Sequence, residues 1–415
     1  MRSDLIAQIN TDYLAHNCRV LRRLCRPGVK ICAILKANAY GHGISIVAPA
    51  LHAAGIEYAA VATLYEAIEL RSVNWHRPIL LLGNVLAVAD DRERRERLRA
   101  IVKHELTLSI SDEDMLAPLL AMDLPTPIDV HLKVDTGMGR MGVMPEAMVR
   151  LAESVRAAPG LRLAGISSHL ATADFDNLDL AREQLAAFSS TLHSLAHCLP
   201  SGAVRHIANS AAIIALPEAH LDMVRPGLIL FGYPPADHMA DQIDLRPILR
   251  LVSHLTAVKD LPPGHCVGYG RSFTTRRPTR LGIVPIGYYD GYLRSLSNAA
   301  VIGTSVGDAP VVGRVSMDQL AVDLTDLPPL SPGAEVVLID DRPERPNSVA
   351  AVARLIGTIP YEVTCLLGHR IMRTAVRSPR TADQHRAVSG HNTAPHGDHP
   401  SISKETAVSS LITGP

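Results

Sequence analysis

The sequence predicts an α/β region followed by a mostly-β region, and three observations carry that prediction. Short Val/Ile/Leu-rich runs that hardly alternate in polarity recur between residues 29 and 232, as expected of parallel strands buried on both faces. Segments of helical period lie between them. After about residue 245 the texture changes, and apolar runs are separated by clusters such as "DLPPGH" and "DLPPLSPGAE". A chain of 415 residues suits two or three domains. The divisions are placed at 1–244, 245–377 and 378–415.

The predicted strands lie near 29–35, 56–63, 78–83, 106–110, 127–135, 161–168, 204–208 and 227–232. The clearest helix between them is 178–198, where Leu178, Ala181, Leu185, Phe188, Leu192 and Leu195 step by three or four. Another, near 11–25, precedes the first strand. Eight strand–helix units suggest a (β/α)8 barrel, with a doubly wound open sheet as the competitor. In the second region, runs at 248–259, 279–287, 309–324 and 334–340 read as strands and 347–357 as a helix. The first residues of the chain are expected to pack with that β region. From about 378 the chain is Pro-, Ser-, His- and Gly-bearing without periodicity, and reads as a disordered tail. Its His385, His391, His396 and His399 fit a solvated linker better than a metal site.

Lys+Arg and Asp+Glu both number 41, so formal net charge is zero, which argues against nucleic acid or an anionic membrane as the main partner. A hydrophobic fraction of 47% is ample for a packed core. No apolar run reaches transmembrane length, and the opening residues predict no secretory signal. The cysteines at 18, 25, 32, 198, 266 and 365 form no C-x-x-C pair, which predicts reduced thiols in a cytoplasmic protein. The nineteen histidines show no metal-ligand spacing.

In a barrel, the C-terminal ends of the strands carry the chemistry. "AILKANAYGHG" places Lys36 at such an end, where partial desolvation favours the neutral, nucleophilic amine. A structural lysine that snorkels to solvent fits the position equally well. "KVDTGMGRMGV" contains a G-x-G-x-x-G spacing, but no acidic residue follows at 157–166, so a dinucleotide site is not expected there. The segment reads instead as a strand-end loop presenting Arg140, with Lys133, mid-strand, pointing into the barrel or its wall. A lysine so placed needs a partner or a modification unless it reaches the rim. "SSHLATAD" places His169 at another strand end, "HIANSAA" places Asn209 and Ser210 likewise, and "MVRPGLILFG" places Arg225 and Gly227 beside the last strand. Each alone is more often structural. Their convergence on the strand ends of one barrel is the signal. Ser210 begins a helix-like stretch whose free N–H groups suit a phosphate.

"AILKANAYGHG", "KVDTGMGRMG", "SHLATAD", "ANSAA", "VRPGLILFG", "VGYGRSF", "PIGYYDGY", "GRVSMDQ" and "PYEV", in this order over roughly residues 5–377, resemble the alanine racemase family. The resemblance implies pyridoxal 5′-phosphate (PLP), an N-terminal (β/α)8 barrel, a C-terminal β domain, and a head-to-tail homodimer with shared active sites. Lys36 would hold PLP covalently and act as base on one face of the substrate Cα. Tyr269, supplied by the other chain, would be the base on the opposite face, with His169 adjusting its basicity. Arg225 would pair with the pyridine nitrogen. Arg140 would contact the cofactor's phenolic oxygen and the substrate carboxylate, held in place by Lys133 as a carbamate. Tyr40, Ser210, Gly227, Leu228 and Tyr361 would bind the phosphate, with Asn209 among the cofactor contacts. The Met317 backbone would contact the substrate carboxylate and Asp318 would support that loop. Tyr288 and Tyr361 would narrow the entrance, with Asp174, Arg294 and Arg314 lining its outer part.

The sequence departs from the family's usual pattern at Gln8, Asn10, Tyr289, Ser316 and His369. None of these is a proposed catalytic position. The expected function is interconversion of L- and D-alanine, supplying D-alanine for peptidoglycan. A serine or broad-specificity racemase of the same fold is the near alternative. An amino-acid decarboxylase is disfavoured by Arg225, since that chemistry is better served by a carboxylate at the ring nitrogen. A non-enzymatic PLP carrier is disfavoured by the second domain with Tyr269.

Overall fold

Strands buried on both faces pair in parallel only when a crossover follows each one, and the first half of the chain is built that way. In a computed structural model of the chain, residues 4–121 and 126–378 are described. The predicted tail beyond Ser378 lies outside them. An initial strand β1 (Ile6–Asn10) leads into a helix, Thr11–Leu24. There follow β2 (Lys30–Ile34), β3 (Tyr58–Val61), β4 (Ile79–Leu81), β5 (Leu106–Ile110), β6 (Ile128–Lys133), β7 (Leu161–Ser167), β8 (Val204–His206) and β9 (Met223–Val224). They pair in parallel in the order β8-β7-β6-β5-β4-β3-β2-β9. Across the seam, Asp222 N–H donates to Arg205 O at 3.1 Å and Arg225 N–H to Ala208 O at 3.0 Å. The sheet therefore curls on itself as a barrel, and the open doubly wound alternative is excluded.

The helix Thr11–Leu24 begins where the Asn10 side chain accepts from the N–H groups of Asp12 and Tyr13, both at 3.1 Å. Fully buried Asn17 fastens it to the end of the barrel segment: its amide donates to Leu230 O and Arg246 O and accepts from Arg246 N–H. The predicted helix 178–198 appears as Asp179–Ser194, and 347–357 as Val349–Ile356.

The last barrel strand is a correction. It is Met223–Val224, not 227–232; residues Leu228–Phe231 form a buried 3-10 turn. A short apolar run cannot be told from a buried helical turn by periodicity alone. Here Pro226 supplies no N–H to extend the ladder beyond Arg225.

The second half contributes β10 (Leu249–His254), β11 (Ala257–Leu261), β12 (Cys266–Val267), β13 (Phe273–Thr274), β14 (Thr279–Val284), β15 (Val301–Thr304), β16 (Gly307–Val312), β17 (Leu320–Asp323), β18 (Glu335–Ile339) and β19 (Met372–Val376). Nine strands form one sheet, β11-β14-β17-β16-β15-β18-β10-β1-β19. Strand β1 lies inside it, antiparallel to β10 and parallel to β19, so the first residues belong to the β domain's sheet. The run 248–259 is two strands, because the chain turns at Leu255–Thr256 to leave β18 for β14. The run 309–324 is also two, since "GRVSMDQ" leaves the sheet between β16 and β17. "IPYEV", which reads as a β-domain turn, opens a helix, Pro360–Cys365, with proline at its first position.

Candidate active site

The segment after β2 does not continue as an ordinary loop. Ala37, Asn38, Ala39 and Tyr40 all have φ of 53–54°, so the chain after Lys36 makes a left-handed turn built from L-residues. Each such residue costs roughly 1–2 kcal/mol, and strain of this kind persists only where surrounding contacts enforce it. Ala37 N–H donates to Glu66 Oε1 at 2.6 Å, and Ile44 N–H to Asn38 Oδ1 at 2.7 Å. Glu66 Oε2 meanwhile takes the N–H groups of Ala62 and Thr63, closing the capping box of the helix Leu64–Ser72. One carboxylate thus ties the strained turn to the end of β3. Buried His42 adds a bond from its Nδ1 to Ala39 O at 2.9 Å and stacks on Phe231 with ring centroids 4.4 Å apart.

The turn leaves Lys36 half-buried at the barrel mouth and swings Tyr40 inward. The Tyr40 ring packs against Phe231 and Tyr361, with centroids 5.3 and 5.6 Å away. Its hydroxyl approaches Gly227 so closely that a Cβ there would meet it at 2.7 Å. Gly227 N–H donates to Ser210 Oγ at 2.9 Å, and Ser210 is close enough to Tyr361 to act on its phenol. Burial raises the pKa of the Tyr40 phenol, and burial with nearby Asp174 pushes Tyr361 up to about 12, so both hydroxyls stay protonated donors. Ser210 opens the short helix Ser210–Ala215, and Asn209 caps it by accepting from Ala212 N–H at 3.0 Å. Leu228, fully buried, begins the 3-10 turn after Gly227.

Beside this cradle lies a cluster of cations. Lys133 is the last residue of β6 rather than a mid-strand one. Burial, then Arg225, Arg140 and Lys36, lower it to about 7 against a weaker opposing pull from Asp135. His169, two residues past β7, is driven down to about 2 by burial and by Arg225, Lys133, Arg140 and Lys36. Arg140 stands exposed on its loop, which is shaped by Asp135 Oδ1 accepting from the N–H groups of Gly137, Met138 and Gly139.

Arg225 is buried, and its guanidinium donates to Ser168 O at 2.7 Å, Ile207 O at 3.2 Å, His169 Nδ1 at 3.2 Å and His206 Nδ1 at 2.7 Å. His206 Nε2 in turn lies 2.8 Å from His131 Nδ1. His131 and His206 are missed by the sequence reading, though His131 lies in the predicted strand 127–135 and His206 opens the quoted "HIANSAA". The signal was available: His131 is two residues before Lys133 on one strand and so shares its side of the sheet.

Tyr269, Tyr288 and Met317 are not brought to this cluster. They stand 74%, 42% and 51% exposed on the β domain, and no hydrogen bond among the described residues joins them to it. Asp174, Arg294 and Arg314 are also exposed. Among the described residues, no group of His, Cys, Asp or Glu is placed to hold a metal ion, and no helix is long and apolar enough to cross a membrane.

A parallel barrel with a lysine and a cationic cluster at the strand ends, followed by a β domain that takes in the N-terminal strand, defines a two-domain enzyme. The alanine racemase N-terminal domain family matches residues 9–235, and the C-terminal domain family matches 248–375. The chain belongs to the alanine racemase family, whose members are amino-acid isomerases. It is 38% identical over 372 residues to the alanine racemase of Desulfovibrio desulfuricans, covering 89% of this chain and 97% of that one. Alanine racemase of Clostridium difficile 630 superposes with a TM-score of 0.84 at 32% identity, covering 91% and 97% of the two chains. That of Bacillus anthracis with bound L-Ala-P superposes with a TM-score of 0.83 at 28% identity, covering 91% and 96%.

Proposed function

We propose that the chain racemises alanine with PLP as cofactor, by proton transfer at opposite faces of the substrate Cα through Lys36 and Tyr269. The observation that carries this reading is the separation of the two groups. Lys36 sits among cations at the barrel mouth, while Tyr269 is exposed on the β domain. A head-to-tail homodimer would insert each Tyr269 into the other chain's barrel. The barrel is taken as residues 1–244 and the β domain as 245–377.

The donor set fits PLP. Two protonated tyrosine hydroxyls, a serine and the Gly227–Leu228 backbone converge where a phosphate needs donors, and a side chain at 227 would fill that space. When bound, PLP withdraws electrons from the substrate Cα and makes its proton removable. Lys36 would carry the cofactor and then hold or return the proton on one face. His169 accepts from Arg225 at Nδ1, so its proton is on Nε2 and available to the Tyr269 oxygen. That donor, with the surrounding cations, favours the phenolate that a base on the second face requires. Arg225 has only donors to offer, so it would meet the pyridine nitrogen as a lone pair.

A lysine at about 7 is partly neutral at physiological pH, and a neutral amine adds CO2 with loss of a proton to give an anionic carbamate. Lys133 in that form would hold Arg140 toward the cofactor's phenolic oxygen and the substrate carboxylate. The Met317 backbone would contact the same carboxylate. Tyr288 and Tyr361 would narrow the entrance, with Asp174, Arg294 and Arg314 outside, and steric exclusion there favours a methyl side chain over that of serine or larger residues. D-alanine for peptidoglycan is the product this implies, in the cytoplasm.

The test is formation of the D-isomer from L-alanine, L-serine and L-lysine by the purified protein; no D-alanine would sink the proposal. Borohydride reduction and peptide mapping should place the label on Lys36, and label on another lysine would refute that assignment. Tyr269→Phe should impair proton abstraction from one enantiomer more than from the other.

A further inference from the structure

Tyr289 and His369, two of the departures from the family pattern, meet on the β domain. Their rings pack edge to face with centroids 5.8 Å apart. The guanidinium of Arg370 lies 4.5 Å from the Tyr289 ring centroid. The same guanidinium forks between two carboxylates. Nε donates to Asp290 Oδ1 at 2.8 Å, and one terminal nitrogen donates to Asp290 Oδ2 at 3.0 Å and to Asp318 Oδ1 at 2.8 Å. Asp290 is 1% exposed, and its Oδ2 also takes Gly287 N–H at 3.1 Å.

The backbone beneath is stitched in parallel with this fork. Tyr288 N–H donates to Ser316 O at 3.0 Å, and Tyr289 N–H to Met317 O at 3.1 Å. The approach is so close that a Cβ at Gly287 would meet both of those carbonyl oxygens at 2.2 Å. Residues 287–290 and 316–318 are therefore two segments laid against each other and joined by one shared cation. The shared cation is unusual in spanning a buried carboxylate and an exposed one, because Asp318 retains over half its side-chain exposure.

We propose that Arg370 is the positioning residue of the substrate end of the site. By holding Asp318 to Asp290 under the Tyr289 ring, it fixes the Met317 main chain relative to Tyr288. The distance between the carboxylate-binding backbone and the tyrosine at the entrance is then set by one fork, and with it the size of side chain admitted. This rests on the reading of Met317 and Tyr288 as substrate-facing groups. Lysine cannot replace the fork, because a point charge does not bridge two carboxylates in fixed geometry. Removing the arginine altogether leaves the buried Asp290 carboxylate uncompensated.

The cleanest cut is Asp318→Ala, which frees the 316–318 segment and leaves the buried Asp290–Arg370 pair intact; Arg370→Lys and Tyr289→Ala complete the set. In the full-length holoenzyme, Asp318→Ala is expected to raise KM for L-alanine about tenfold, the size of losing one charge-assisted hydrogen bond. kcat changes less than KM, and the kcat/KM ratio of L-serine to L-alanine rises. Amide hydrogen exchange over 314–319 speeds up while exchange in the barrel strands does not. Arg370→Lys shifts the same readouts in the same direction. Unchanged KM, ratio and exchange in these variants, even with a lowered Tm, would overturn the proposal and leave the fork a stabilising element only. If the wild-type protein racemises neither amino acid, the functional reading fails, and the exchange measurement still decides whether the fork orders the loop.

Discussion

The Arg225 guanidinium donates to Nδ1 of His206 at 2.7 Å, and this contact dictates the protonation of the rings beyond it. Arginine has no acceptor, so His206 must present a lone pair at Nδ1 and carry its proton on Nε2. That proton points at Nδ1 of His131, 2.8 Å away, which must also be a lone pair. His169 accepts from Arg225 through Nδ1 as well. Two neutral histidines meet the buried cation directly and a third follows behind His206, all in one tautomer.

Nitrogen-15 NMR of the protein labelled at histidine should therefore find all three as Nε2–H tautomers at neutral pH. His131→Asn keeps an acceptor near the Nδ1 position and should preserve the His206 tautomer. His131→Phe leaves the tautomer, which Arg225 sets, but removes the acceptor of the His206 Nε2 proton and should shift that nitrogen's resonance. Identical spectra for the two variants would remove the relay.

Stability should fall with acid in a defined window. Burial is the main cause holding His131 down to about 4, against roughly 6.5 for an unfolded histidine. Between these values the unfolded chain binds the extra proton and the folded one does not, so this contribution is full above about 6.5 and is lost as pH falls toward 4. Buried His42, also lowered to about 4, acts in the same direction. Urea unfolding from pH 7.5 to 4.5 should show the loss, and His131→Asn should flatten the slope. A slope unchanged in the variant would count against it.

Lys133 should react with carbon dioxide. With the amine lowered to about 7, a protein equilibrated with carbon-13-labelled bicarbonate at pH 7.5 should show a carbamate resonance that Lys133→Arg abolishes. Its persistence in the variant would move the modification elsewhere.

Gly227→Ala should weaken cofactor binding while the chain still folds. The glycine has φ −121°, so the cost arises from the Cβ that would sit 2.7 Å from the Tyr40 hydroxyl. Displacing one phosphate donor predicts about a tenfold rise in the Kd for PLP, measured by absorbance titration. No change would take Tyr40 out of the phosphate cradle.

Legibility in the sequence followed the range of the forces involved. The strand–helix alternation and the placing of Lys36 and His169 at strand ends are local properties of short runs, and they were readable, whereas Arg225 reaches a strand end only because the last strand is Met223–Val224. The strand expected at 227–232 was not, because Leu228–Phe231 is as apolar as a strand and its 3-10 form depends on tertiary packing. The partners of Arg225 were equally hidden, since His131 and His206 come from β6 and β8 and meet only when the sheet curls. The left-handed turn gave no warning either: "KANAY" lacks glycine, and only contacts such as Glu66 to Ala37 hold it in that hand. The family resemblance carried the reading across these gaps.

That turn has a consequence for how the chain tolerates change. At Ala37 and Ala39 the backbone sits where a mirror-image residue would rest at ease and an L-residue does not. Glycine at exposed Ala37 relieves about 1–2 kcal/mol of that discomfort while adding about 0.5–1 kcal/mol of chain entropy to be lost, so the fold becomes slightly more secure. The same change slackens the arm that aims Tyr40. A family of sequences drifting toward robustness would have an easy route at this position, and taking it would trade a firmer molecule for a looser hold on Tyr40.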